Sequence, residues 1–165
     1  MSDSPWMQDA ADSPVFPEID TTVPHAARLW NYWMGGKDNF AADRAAGDAV
    51  AAAYPDIVTM ANVSRQFLIR VVSLLAGQAG VTQFLDIGAG LPTMQNTHEV
   101  AQRIAPESRV VYVDNDPLVL VHARALLSNT TPEGVTAYVD ADYNEPDSII
   151  ADARNVLDFN KPVAV

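Results

Sequence analysis

The sequence predicts an open α/β fold, a doubly wound parallel sheet with a block of helices in front of it. Three observations carry this expectation. Gln83-Phe84-Leu85-Asp86-Ile87-Gly88-Ala89-Gly90 has the form of a buried strand that ends in a carboxylate and a glycine turn. Val110-Val111-Tyr112-Val113-Asp114 is a second apolar strand with a carboxylate at its end. Strand-like runs then alternate with helical stretches of roughly 10–12 residues, which calls for right-handed crossovers and parallel pairing. In such a sheet ligands bind outside the carboxyl ends of the strands, so both acidic ends reach one crevice.

The elements follow in order. Residues 1–24 carry Asp3, Asp9, Asp12, Glu18 and Asp20, four prolines and no basic residue, and are predicted to form a disordered acidic tail. From His25 the pattern turns helical: Leu29 and Trp33 lie four apart, Trp30 and Trp33 three apart, and Gly35-Gly36 stops the helix. A second helix begins after Asp38 or Asn39, runs through the alanine-rich 41–53 and ends before Pro55. A third spans about 60–76, with Val63, Phe67, Val71 and Leu75 expected on its inward face. Residues 25–80 thus form a helical segment that caps the ligand site. The sheet occupies 81–165. Its first strand is expected at 82–87, a helix at 95–105 with Val100 and Ile104 inward, and a second strand at 109–114. Asp116-Pro117 places an N-cap before a proline at the first helical position, opening a helix to about Ser128. A third strand is expected at 135–140 and a helix at 146–157, with Ile149, Ala153 and Val156 inward. Lys161-Pro162-Val163-Ala164-Val165 reads as the opening of a fourth strand. Residues 81–165 therefore read as the N-terminal half of a fold truncated after that opening. Residues 1–165 alone are expected to be poorly soluble or partly molten, to bind ligand weakly and to be inactive.

Composition narrows the function. The 165 residues, 48% of them hydrophobic, suffice for one core. Zero cysteines exclude disulfides, thiolate metal sites and cysteine nucleophiles, and fit a reducing cytoplasm. No apolar run approaches the roughly 18 residues of a membrane span, and Met1-Ser2-Asp3-Ser4-Pro5 lacks the form of a secretory signal. With a net charge of −11 and its ten Lys and Arg scattered, the chain disfavours nucleic acid and anionic membranes as partners. A small molecule is the expected partner. Oligomeric state is not encoded legibly.

The chemistry-bearing residues cluster at the strand ends. Gly88-Ala89-Gly90 follows a strand and precedes a helix, although Thr93 replaces the third glycine of the dinucleotide fingerprint. Glycines there let a ligand approach the backbone. Asp86 bears on which ligand. A diphosphate prefers a helix N-terminus without a carboxylate beside it, whereas S-adenosylmethionine has no phosphate and carries an ammonium and a sulfonium. The bland alternative is that Asp86 caps the turn. Asp114 sits where a carboxylate accepts both ribose hydroxyls, which suits nicotinamide and S-adenosylmethionine enzymes alike, while Asp116 caps the next helix. Asp140-Ala141-Asp142 ends the third strand, where Asp142 is a candidate acceptor for the adenine N6 amine and the main chain at Ala141 a candidate donor to N1. His98-Glu99 lacks a third metal ligand at suitable spacing, so no metal is expected, and His25 and His122 read as structural. Trp30, Tyr32 and Trp33 read as a helix face on the core, with a lid over the ligand as the alternative.

At this point the chain resembles a known family. Ala26-Ala27-Arg28, Gly35-Gly36-Lys37-Asp38-Asn39-Phe40-Ala41-Ala42-Asp43-Arg44, Asp86-Ile87-Gly88-Ala89-Gly90-Leu91-Pro92-Thr93, Asn96-Thr97-His98-Glu99-Val100-Ala101 and Tyr112-Val113-Asp114-Asn115-Asp116-Pro117 are similar to the blocks of the S-adenosyl methyltransferase family. The resemblance covers about 25–165. It implies a Rossmann-like class I methyltransferase fold and S-adenosylmethionine as cofactor, bound by Asp86, Gly88, Gly90, Asp114, Asn115 and the Asp140-Ala141-Asp142 loop. It also implies that the segment containing Lys37 approaches the cofactor. The acceptor and any catalytic residue stay unassigned. A nicotinamide-dependent oxidoreductase and a non-catalytic nucleoside-binding module are the alternative readings.

Overall fold

Three parallel strands form the centre of the molecule in a computed structural model that describes residues 19–93, 95–126 and 128–165. β1 (Gln83–Ile87), β2 (Arg109–Asp114) and β3 (Val135–Asp140) pair in the order β1-β2-β3. Phe84 lies opposite Val110, and Val110 opposite Thr136. On the other edge of β1, Ala164 bridges Phe84 in parallel: Leu85 N–H donates to the Ala164 carbonyl at 2.8 Å and Ala164 N–H to the Gln83 carbonyl at 2.9 Å. The expected opening of a fourth strand therefore lies beside β1, and the spatial order runs 4-1-2-3. β2, buried on both faces, reads as a continuous apolar run rather than an alternating one, while β3 is half-buried along most of its length.

Six helices surround this sheet among the described residues: α1 (Ala26–Trp33), α2 (Ala41–Ala53), α3 (Ile57–Gly77), α4 (Thr97–Ile104), α5 (Pro117–Leu126) and α6 (Pro146–Ala153). On one face Phe84, Val110 and Tyr112 pack against Val72 and Ala76 of α3 and Val100 and Ala101 of α4. On the other, Leu85, Val111, Val113 and Val139 meet Ile149 and Ala153 of α6, with Leu157 just beyond it. Local chemistry fixes the helix starts. Asn96 N–H donates to Glu99 at 2.8 Å in a reciprocal cap of α4, and Leu118 N–H donates to Asp116 at 2.9 Å at the start of α5. After α1, Gly35 takes the left-handed conformation (φ 80°) that lets the chain turn toward α2.

Two expectations about inward faces are corrected. Val63 and Phe67 are 51% and 60% exposed, whereas Ile57, Ala61, Val72 and Ala76 are buried. α3 is apolar on both sides, with Met60, Val63, Phe67 and Leu74 forming one stripe and the buried set another, so periodicity alone did not identify the packed one. Alanines at 61 and 76 favour the second stripe by letting neighbouring elements approach closely. Ile104, at the last turn of α4, is likewise exposed. The expectation that no stretch approaches membrane-span length also needs correction: α3, with 21 residues and a mean hydropathy of 1.2, is long and apolar enough by length and composition alone. It nonetheless carries Arg65 and Arg70, and its buried stripe packs on the sheet and α4. The predicted acidic tail falls largely on residues 1–18, outside the described set; within 19–24, the Asp20 and Val23 carbonyls accept from the Arg28 guanidinium at 3.0 and 3.2 Å.

Candidate functional site

A cavity of about 570 Å³ opens at the carboxyl ends of β1 and β2. Its floor is Gly88-Ala89-Gly90 with Asp114 and Asn115, and its roof comes from α1 (Ala27, Trp30) and α3 (Ala61, Arg65, Leu68). Its size suits a nucleoside-sized ligand. A larger hollow, of about 870 Å³, lies at the opposite end of the strands around Thr82, Arg109 and Asn155. That edge has neither the glycine turn nor the strand-end carboxylates, and ligands of this architecture bind at the carboxyl edge.

The floor is built by backbone geometry. Gly88 and Gly90 have φ of 73° and 66°, a region that side chains resist, and a Cβ at either would meet no protein atom within 4 Å. Both glycines therefore face open space. Gly88 and Ala89 N–H groups donate to the Val113 carbonyl at 2.9 and 3.1 Å, binding the turn to β2. Asp114 is buried, with one carboxylate oxygen accepting from Gly90 N–H at 2.8 Å and the other from Asp116 N–H at 3.0 Å. Each of those oxygens retains a lone pair for a ligand hydroxyl.

Asp86 lies elsewhere. It is absent from the walls of the large cavity and lines a small cleft beneath the glycine turn with Arg65, Asn96, Tyr112 and Tyr138. Thr97 Oγ1 donates to it at 2.7 Å. Burial raises the Asp86 pKa, opposed by the Thr97 hydroxyl and by Arg65. Register explains the row, since Asp86 pairs with Tyr112 and Tyr112 with Tyr138, so all three project to the same face of the sheet. Tyr138 Oη is buried without a hydrogen-bond partner among the described residues, and burial pushes its pKa upward.

Other sequence candidates are distributed unevenly. Ala141 lines a small annex with Asp114, Asn115 and Tyr143, and its N–H donates to the Asp114 carbonyl at 3.2 Å. Asp140 is exposed at the end of β3 and lines none of these walls, and Asp142 turns back to accept from Asn144 N–H at 2.8 Å. Lys37 is exposed and also off the wall. Its neighbours Gly35, Gly36 and Asp38 line a second cavity, of about 390 Å³, that shares Met34, Arg65 and Thr93 with the first. Asn39 is buried and structural: its amide donates to Asn31 at 2.9 Å and to the Gly36 carbonyl at 3.0 Å. His98 is a core histidine. Its backbone N–H donates to Tyr112 Oη at 2.8 Å, and its Nδ1 lies 2.9 Å from the same oxygen. Burial lowers its pKa, and the Tyr112 hydroxyl proton is therefore assigned to Nδ1.

Sequence reasoning missed three wall residues. Arg65 sits where the two cavities meet, donates to the Gln95 carbonyl at 2.8 Å and contacts Asn96 at 3.3 Å. Burial lowers its pKa while the Asp86 charge raises it. The available signal was a charge in the middle of an otherwise apolar helix. Tyr143 stands at the cavity mouth after β3, and His25 lines the cavity from the N-terminal end of α1.

Comparison with known proteins is consistent with this geometry. The S-adenosyl methyltransferase family model matches residues 13–165. No curated protein matches. The chain is similar to the solved structure of a DUF574 family protein from Streptomyces avermitilis, with 51% identity and a TM-score of 0.83, covering 88% of this chain and 56% of that one. It is also similar to a methyltransferase candidate from Thermobifida fusca, with 49% identity and a TM-score of 0.81, covering 87% of this chain and 54% of that one. The chain thus spans little more than half the length of these two structures. The sheet order, the glycine turn, the strand-end carboxylate and the family match agree. The chain belongs to the S-adenosyl methyltransferase family, whose cofactor is S-adenosylmethionine.

Proposed function

We propose that the protein is an S-adenosylmethionine-dependent methyltransferase, or the cofactor-binding portion of one, acting on a small-molecule acceptor. The observation that carries this reading is the carboxylate chemistry at the N-terminus of α4. In a dinucleotide site that helix end receives the diphosphate. Here Glu99 accepts from Asn96 N–H, and Asp86 accepts from Thr97, so two carboxylates stand where an anion would have to lie. A cationic, phosphate-free nucleoside suits that end.

The residues present fit this ligand. Asp114 takes the ribose hydroxyls, the open backbone at Gly88 and Gly90 admits close approach, and Tyr143 and the main chain at Ala141 face the base. At the far end Arg65 is a partner for an amino-acid carboxylate and Asp86 for an ammonium. Bound there, the cofactor would supply a methyl group activated on sulfonium for in-line displacement. The protein's part is alignment and exclusion of water, to which α1 and α3 contribute as the roof; alignment supplies about 7–11 kcal/mol in favourable cases. The second cavity adjoins the Arg65 end, and its amide lining (Asn31, Asn62, Gln66) and its size favour a small polar acceptor. The net charge of −11, with ten Lys and Arg scattered along the chain, disfavours nucleic acid and anionic membranes as partners.

Equilibrium binding of S-adenosylhomocysteine and of NAD tests the proposal. Preference for S-adenosylhomocysteine supports it, and preference for NAD replaces it with the oxidoreductase reading.

A further inference from the structure

His25 is held more firmly than a helix cap requires. Its backbone N–H donates to Asp43 at 2.9 Å, and its Nδ1 lies 2.9 Å from Asp116 Oδ2. Asp116 is buried, with its other oxygen taken by Leu118 N–H. Arg28 lies between the two carboxylates: its Nε is 3.5 Å from Asp116 and 3.7 Å from Asp43. One buried carboxylate thus reaches the imidazole and another holds its backbone, yet the ring is 35% exposed and borders the cavity beside Gly90, Asp114 and Asn115.

The contacts define what the ring presents. Ala27 N–H approaches Nδ1 at 3.4 Å, a long contact, whereas Asp116 Oδ2, buried and otherwise without a hydrogen-bond partner among the described residues, lies 2.9 Å from it, a separation at which two lone pairs would repel. A proton on Nδ1 relieves that repulsion and, in the neutral ring, leaves Nε2 as the acceptor. Nε2 has no hydrogen-bond partner among the described residues. Asp116 N–H in turn donates to Asp114, so the carboxylate that orients the histidine and the carboxylate read as the ribose acceptor are joined in one turn.

Resting on the cofactor reading above, we propose that His25 is a cofactor-contacting residue whose Nε2 accepts a hydrogen bond from a ribose hydroxyl alongside Asp114. The network of Asp116, Arg28 and Asp43 positions it. The roof helix then does more than cover the site, because the residue that caps it reads the sugar.

Calorimetry with S-adenosylhomocysteine and its 2′-deoxy and 3′-deoxy analogues tests this, using the wild type, His25→Ala and His25→Gln, with a thermal melt of each. His25→Ala is expected to weaken S-adenosylhomocysteine about tenfold. It should change the affinity of one deoxy analogue less than about twofold, because that ligand already lacks the hydroxyl. His25→Gln, which keeps an acceptor, should recover part of the loss. Unchanged S-adenosylhomocysteine affinity in His25→Ala overturns the inference alone, as does an equal loss for all three ligands, which would make the ring a support for the roof. A wild type that binds NAD and not S-adenosylhomocysteine overturns the cofactor reading and this inference with it.

Discussion

Asp114 and Asp86 are both strand-end carboxylates, and the structure gives them different partners and different cavities. Asp114 accepts two backbone N–H bonds at the cavity floor. Asp114→Asn keeps an acceptor for one of those donors and leaves the other unmet, at a cost of about 1 kcal/mol in stability. The lost charge-assisted bonds to ribose should weaken S-adenosylhomocysteine at least about tenfold by calorimetry. Burial governs Asp86. Its folded pKa is raised above 3.8 by burial, so the folded state holds its proton more tightly than the unfolded chain does. Stability therefore falls as pH rises through the interval between 3.8 and the raised value, and the charged form is a net cost above it. Asp86→Asn should raise the melting temperature at neutral pH while reducing cofactor affinity. The gain should vanish below pH 3.8, and melts over a pH series read this directly. Gly90→Ala separates backbone strain from ligand contact. The added Cβ meets nothing in the protein, so only the left-handed φ acts on stability, at about 1–2 kcal/mol, and any larger loss in binding reports the ligand's approach.

At the scale of elements, the strands were the most legible part of the sequence. β2 and β3 begin and end where their apolar runs and strand-end aspartates put them, and β1 differs by one residue. Strands buried on both faces have no face to misassign. Helices do, and α3 shows the limit: two apolar stripes on one helix leave the packed side undetermined until the sheet and α4 are in place. Phe67→Ser should shift stability by no more than about 0.5 kcal/mol, whereas Val72→Ala should cost about 2 kcal/mol. Chemical denaturation of the two variants distinguishes the observed packing from the one the periodicity suggested. The candidate site was legible to the extent that it is local. Gly88, Gly90, Asp114 and Asn115 are on the cavity floor because strand, turn and helix follow one another in the chain. Arg65, His25 and Tyr143 were illegible because tertiary packing alone brings α1, α3 and the loop after β3 over that floor. Asp140, Asp142 and Lys37 sit near the right segments, but the local turns send them outward, Asp142 by bonding Asn144.

For the molecule as a whole, the central relation is between the sheet's carboxyl edge and the helical roof, joined by half-buried His25 with buried Arg28, Asp43 and Asp116 on one side of the cavity and by Arg65 on the other. That arrangement encloses a nucleoside-sized space with Asp114 on its floor and Arg65 on its roof. The most direct test is a calorimetric titration of the purified protein with S-adenosylhomocysteine and with NAD under the same conditions, repeated on Asp114→Asn. The account predicts one site for S-adenosylhomocysteine, an affinity at least about tenfold above that for NAD, and a further tenfold loss in the variant. Tighter binding of NAD, or S-adenosylhomocysteine binding that Asp114→Asn leaves unchanged, would contradict it.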